Sequence, residues 1–117
     1  MNIQEFISAL FEVRIVGHIA HLQTKSFAKH KALDELYTGI VDLTDSYVET
    51  YQGLFGIVEN YPSFKLIEGE DMVPYLSAKR VEFRKYRESI KQTELQQKVD
   101  DIIEFLDSII YRLKFLS

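Results

Sequence analysis

Six side chains in the first half of the sequence have the chemistry of metal ligands: His18, His21, His30, Asp34, Asp45 and Glu49. All three histidines of the chain fall within thirteen positions, and His30, Asp34, Asp45 and Glu49 recur at intervals of four, eleven and four residues. Imidazole and carboxylate without sulfur form a donor set suited to iron, with manganese and zinc as the other candidates. Cysteine is absent from the sequence, which removes thiolate clusters, disulfides and cysteine nucleophiles. The sequence also lacks glycine-rich phosphate loops, serine triads and paired His-x(3)-His zinc motifs.

Helices must position these ligands. Ile3, Phe6, Leu10, Val13, Gly17 and Ala20 alternate in steps of three and four, and so do Leu33, Leu36, Ile40, Leu43 and Tyr47. Between these two helices Thr24-Lys25-Ser26 reads as a short polar turn with Ser26 as N-cap, which makes them antiparallel neighbours. Most of the glycine and proline punctuation then gathers between Gly53 and Gly69 in one long connection of about 19 residues. A third helix, capped by Asp71 with Pro74 in its first turn, repeats Leu76, Phe83 and Ile90 once per heptad. The fourth carries Leu95, Val99, Ile102, Leu106, Ile109, Leu113 and Leu116 along one seam. The fold expected is an all-α four-helix bundle, a single domain over residues 1–117, whose second and third helices run parallel across the long connection.

On the second helix His30, Asp34, Asp45 and Glu49 fall within an arc of about 100°, opposite its apolar seam, so this stripe faces solvent or another subunit. The His30/Asp34 and Asp45/Glu49 pairs are about 22 Å apart along the axis, too far to share one ion within one chain. Two copies of the helix packed antiparallel about a two-fold near Gly39 and Ile40 would bring each His30/Asp34 pair level with the partner's Asp45/Glu49 pair. Val41, Val48 and Tyr37 border the stripe and suit such a contact. Folding back through the turn brings His21 about level with His30 and His18 about level with Asp34, so His18 or His21 adds a ligand from the first helix.

The spacing from His18, twelve residues to His30, four to Asp34, eleven to Asp45 and four to Glu49, resembles the ferroxidase-centre pattern of Dps proteins, the mini-ferritins. His30-Lys-Ala-Leu-Asp34-Glu-Leu-Tyr37 is similar to the opening of that family's second helix, and Thr93 to Leu116 is similar to its last helix. The resemblance implies a ferritin-like four-helix subunit that binds ferrous iron between two subunits and oxidises it with peroxide or oxygen. The segment from His21 to His30 also resembles one in small phage-encoded proteins. That likeness opens a reading of another class, a non-catalytic helical interaction protein that keeps the dimer and binds a host protein.

Composition sets the remaining bounds. Hydrophobic residues make up 46% of the chain and charged ones 27%, values of an ordinary globular domain. No apolar run reaches the roughly 18 residues of a membrane span, and no basic signal-peptide start is present, so a cytoplasmic protein is expected, in the host cytoplasm if viral. A formal charge of −4 with no basic tail disfavours nucleic-acid binding by the single chain and favours metal cations or basic partners. Lys79, Arg80, Arg84, Lys85, Arg87 and Lys91 make the third helix the most basic segment, but Glu82 and Glu88 interleave with them and a salt-bridged exposed face is expected. The expected assembly is a homodimer or a higher homo-oligomer.

Overall fold

Helix signals and caps coincide along the chain. A computed structural model describes residues 1–116. It contains α1 (Ile3–Gln23), α2 (Phe27–Phe55), α3 (Met72–Arg87) and α4 (Thr93–Phe115), and no strand among the described residues. Asn2 and Glu5 close α1 with a capping box, each side chain bonding the other's backbone N–H. Ser26 accepts the Lys29 N–H and starts α2, and Asp71 accepts the Val73 N–H and starts α3. Ile90, which the heptad reading places on the third helix, lies beyond its end. There the N–H groups of Glu88, Ser89 and Ile90 bond carbonyls three residues back, a tightened last turn that leaves Ile90 buried in the link to α4.

The helix pairs pack α1 on α2, α2 on α4, α4 on α3 and α3 on α1, a square in which α1 and α4 lie diagonally opposite. Cross-helix pairs fix the directions. His21 meets His30 and Phe6 meets Tyr47, so α1 and α2 are antiparallel. Arg87 pairs with Asp100 and Arg80 with Asp107, so α3 and α4 are antiparallel as well. With Arg112 on Glu35 setting α4 against α2, the sequence of directions is up, down, down, up, and α2 and α3 run parallel as expected. The chain returns between them along α1, where Ser8 Oγ donates to the Pro62 carbonyl at 2.9 Å and Phe11 packs on Tyr61. The expected salt-bridged face of α3 is present in Arg80, Arg87 and Lys79, the last paired with Glu12 of α1.

The core follows the periodic residues: Phe6, Leu10, Leu36, Ile40, Leu76, Phe83, Leu95, Ile102 and Leu106 are fully or almost fully buried. At one end it is aromatic. Phe6 stacks on Tyr86 at 4.2 Å and meets Tyr47 and Phe83 edge-on. The buried Tyr47 and Tyr86 hydroxyls bond each other at 2.8 Å, and burial raises both phenol pKa values. Since each hydroxyl satisfies the other, Tyr47→Phe or Tyr86→Phe strands one buried polar group and should cost about 1–3 kcal/mol. The double variant should cost clearly less than the sum of the two, as measured by a urea-denaturation double-mutant cycle.

Candidate functional site at the α1–α2 hairpin

The three-residue turn between α1 and α2 is short enough to force the last turn of one helix against the first turn of the other. His21 and His30 lie almost symmetrically about it, and their rings stack with centroids 3.7 Å apart. Each Nδ1 lies on the other residue's backbone carbonyl, His21 Nδ1 on the His30 oxygen at 2.8 Å and His30 Nδ1 on the His21 oxygen at 2.9 Å. A carbonyl can only accept, so both Nδ1 atoms carry protons. In the neutral rings the lone pair is therefore on Nε2. This second partner on the far nitrogen is the arrangement that orients imidazole ligands in metal sites. His21 is buried at 8% exposure, whereas His30 is only partly covered.

One turn below the histidine clasp, the rings of His18 and Tyr37 lie flat on each other, 3.9 Å apart and 7° from parallel. Tyr37 also meets His21 edge-on at 5.2 Å. Asp34, one turn back on α2, raises the Tyr37 pKa through hydrogen bonding and its negative charge, the first being the larger cause. The sequence-derived levels hold for His21 and His30, while His18 comes to rest on Tyr37. Close approach of the helices makes this fit possible: a Cβ on Gly17 would lie 2.9 Å from Leu36 Cδ2.

The structure thus gathers His18, His21, His30, Asp34 and Tyr37 at one end of the hairpin and leaves Asp45 and Glu49 apart. Asp45 borders a shallow cleft of ≈ 260 Å³ formed by Leu10, Phe11, Arg14, Val41 and Thr44. Both carboxylates are exposed. Among the described residues no three His, Asp or Glu side chains converge on a point that could hold an ion. The stripe also turns along its length. Fifteen residues separate His30 from Asp45, which rotates the second half by about 60° from the first. Gly39 and Ile40, placed by level at the centre of a two-fold contact, face inward: Ile40 is fully buried and the Phe105 ring fills the space beside Gly39. The outward residues at that level are Tyr37, Thr38 and Val41.

Sequence reasoning missed the mutual backbone bonding of the two histidines. Their near-symmetric placement about residues 24–26 signalled that the two rings would be close, but not that each would bond the other's carbonyl. Sequence reasoning also missed the half-buried junction of α1 and α3, where Tyr75 Oη donates to Glu12 at 2.6 Å and Lys79 pairs with the same carboxylate.

These features define an all-helical bundle with one long crossover and an imidazole–carboxylate stripe on its first hairpin. Residues 21–113 match the model of a family of unknown function (DUF5856), and the chain belongs to that family. A stretch of 52 residues is 38% identical to an uncharacterized 14.6 kDa protein in the mobD-ri intergenic region of Enterobacteria phage T4. The stretch covers 44% of this chain and 41% of the phage protein, so less than half of that relative is spanned. No solved structure matches the chain. No helix among the described residues is long and apolar enough to cross a membrane.

The clasp and the stack predict different costs of truncation. His21→Ala removes a buried ring, its stack and the bond to the His30 carbonyl, and should destabilise by about 1–3 kcal/mol. His18→Ala on the outer face should cost under about 1 kcal/mol. Urea unfolding of the two variants checks the ordering.

Proposed function

We propose that the protein is a ferritin-like subunit that binds ferrous iron between two copies of itself and oxidises it with oxygen or peroxide. The observation that carries this reading is the state of His30: its Nδ1 is held by a backbone carbonyl, its Nε2 lone pair is left for a ligand, and Asp34 lies one turn along the same helix. The bundle layout agrees with it, since a single long crossover between parallel helices is the connectivity used by ferritin-like bundles. The four spacings that resemble the Dps pattern supply the donor set.

In this reading His18, His30 and Asp34 of one subunit face Asp45 and Glu49 of its mate. His18 is the first-helix ligand, because His21 is buried beneath His30 and already committed to the clasp. Nitrogen and oxygen donors fit iron, and manganese or zinc would compete for them. Three carboxylates stabilise the ferric product over the ferrous ion through their charge, while dioxygen or peroxide takes the electrons. A two-fold over Tyr37 and Val41 also covers apolar surface that a monomer leaves partly in water. The alternative, a non-catalytic helical protein that binds a host partner, draws its support from the likeness to a phage protein.

Anaerobic ferrous titration with light scattering should give saturable binding by a dimer or larger oligomer, lost in Asp45→Ala. Complementation tests the shared site more sharply. A chain with His30→Ala and Asp34→Ala and a second with Asp45→Ala and Glu49→Ala should each fail alone. Mixed and reassembled, they should recover about a quarter of the sites, since half the dimers are mixed and each holds one intact site of two. No recovery, or binding that survives Asp45→Ala, leaves the interaction-protein reading in its place.

A further inference from the structure

We propose that the end of the bundle where the α1–α2 turn meets the last turn of α4 docks on an anionic lipid surface. Leu22, Phe27 and Phe115 enter the bilayer, and the lysines around them rest on its headgroups. The inference goes beyond the iron-binding reading and uses none of its ligands, so either can fail alone. Among the described residues five large apolar side chains are at least 67% exposed, and three of them lie at this one end: Leu22 at 69%, Phe27 at 76% and Phe115 at 67%. They come from three helices. The last turn of α1, the first of α2 and the last of α4 meet there around a cleft bordered by Ala20, Thr24, Lys29 and Leu113.

Charge is sorted in the same way. The chain carries a formal −4, yet no Asp or Glu occurs from Val13 to Leu33 or from Ser108 to Leu116. Lys25, Lys29, Lys31 and Lys114 are exposed at this end, and none is in an ion pair among the described residues. Lys31 Nζ lies 6.0 Å over the Phe27 ring and Lys114 Nζ 5.4 Å over the Phe115 ring, so cation and apolar group are presented side by side. Glu68, Glu70 and Asp71 lead instead into α3, diagonally across the bundle from α2. Apolar tips ringed by lysine suit the boundary of a bilayer. The tips gain by leaving water, anionic lipid attracts the cations, and long lysine stems reach back to the headgroups. Nucleic acid would occupy the lysines and leave Leu22 in water, and the arginine of this end, Arg112, is already held by Glu35. A bilayer covers both kinds of group and needs no groove shaped to receive a protruding turn.

The test is flotation of the full chain with vesicles of equal parts phosphatidylglycerol and phosphatidylcholine, beside vesicles of phosphatidylcholine alone and a titration with duplex DNA. Wild type should float with the anionic vesicles only, and less so at high salt. Combining Leu22→Ser, Phe27→Ser and Phe115→Ser should weaken partitioning by at least about tenfold. Lys25→Gln, Lys29→Gln and Lys31→Gln should each weaken it by about fivefold. All six positions are exposed, so circular dichroism and the urea midpoint should match wild type. Ile57→Ser with Val81→Ser changes equally exposed apolar positions away from this end and should bind as wild type does. Because the sequence contains no tryptophan, Phe27→Trp adds a single reporter whose emission should shift to the blue on anionic vesicles. Failure of folded wild type to float overturns the proposal. So does flotation that the apolar substitutions leave unchanged, or that Ile57→Ser with Val81→Ser weakens as much. DNA binding as tight as vesicle binding, with no blue shift, makes the surface a general polyanion contact and overturns insertion.

Discussion

The register between α1 and α2 governs the rest of the molecule. A turn of three residues leaves almost no slack, and the paired imidazoles at its mouth accept only one alignment, since each must reach the other's carbonyl. From that fixed point the antiparallel helices bring Gly17 to Leu36, His18 to Tyr37 and Phe6 to Tyr47 in order. Slipping α1 by one residue would turn its faces by about 100° and carry Leu10 and Val13 out of the core. The two hydrogen bonds are worth about 0.5–1.5 kcal/mol each. Their larger effect is selection, because the sliding alternatives leave buried polar atoms unmatched.

A second constraint comes from the long crossover. Running parallel, α2 and α3 cannot be joined by a tight turn, so the chain must travel back along the bundle, and it uses the outer edge of α1 as its track. Near that edge α1 and α3 share the smallest of the four helix contacts, and there Glu12 binds both Tyr75 and Lys79. A carboxylate taken partly out of water needs both partners to offset its lost hydration. The network therefore favours one rotation of α3 about its axis, a choice that the apolar residues of this thin interface leave loosely made.

Four helices, their caps at Ser26 and Asp71, and the buried seams as far as Leu113 were legible because each rests on a local rule of period, capping chemistry or turn length. Leu116, placed on the fourth seam by the same period, lies past the end of α4 and is half exposed. The end of α3 was not legible either, since Ile90 keeps the heptad although the backbone tightens at Glu88, and an apolar residue is buried in a link as readily as in a helix. At the candidate site the level of His21 with His30 and the outward facing of Asp45 and Glu49 were legible, and the seat of His18 on Tyr37 was not. Rise per residue placed His21 beside His30, yet the inward turn of Gly39 depends on Phe105, seated against it from the far end of the sequence. Likewise no pattern announces that an imidazole will bond a backbone carbonyl nine residues away, because that bond exists only after the hairpin has closed.

Division of the ligand stripe into halves follows from the straightness of a helix. With a rise of 1.5 Å per residue, no bend short of a break brings Glu49 to His30 on one α2. A bundle core could have held a metal among facing helices, but here that interior is filled by Phe6, Leu36, Ile40 and Phe83, and the polar groups it does admit are already matched. Donors kept out of the core and spread along one rod can meet only across a boundary between molecules. In the proposed dimer a two-fold axis would achieve this with one set of residues, because it would reverse the rod and superpose the first half of the pattern on the second. On the proposed iron-binding reading the spacing would have a use in a symmetric pair that it lacks in a single chain, and with His21 buried, His18 would be the first-helix residue to join that boundary.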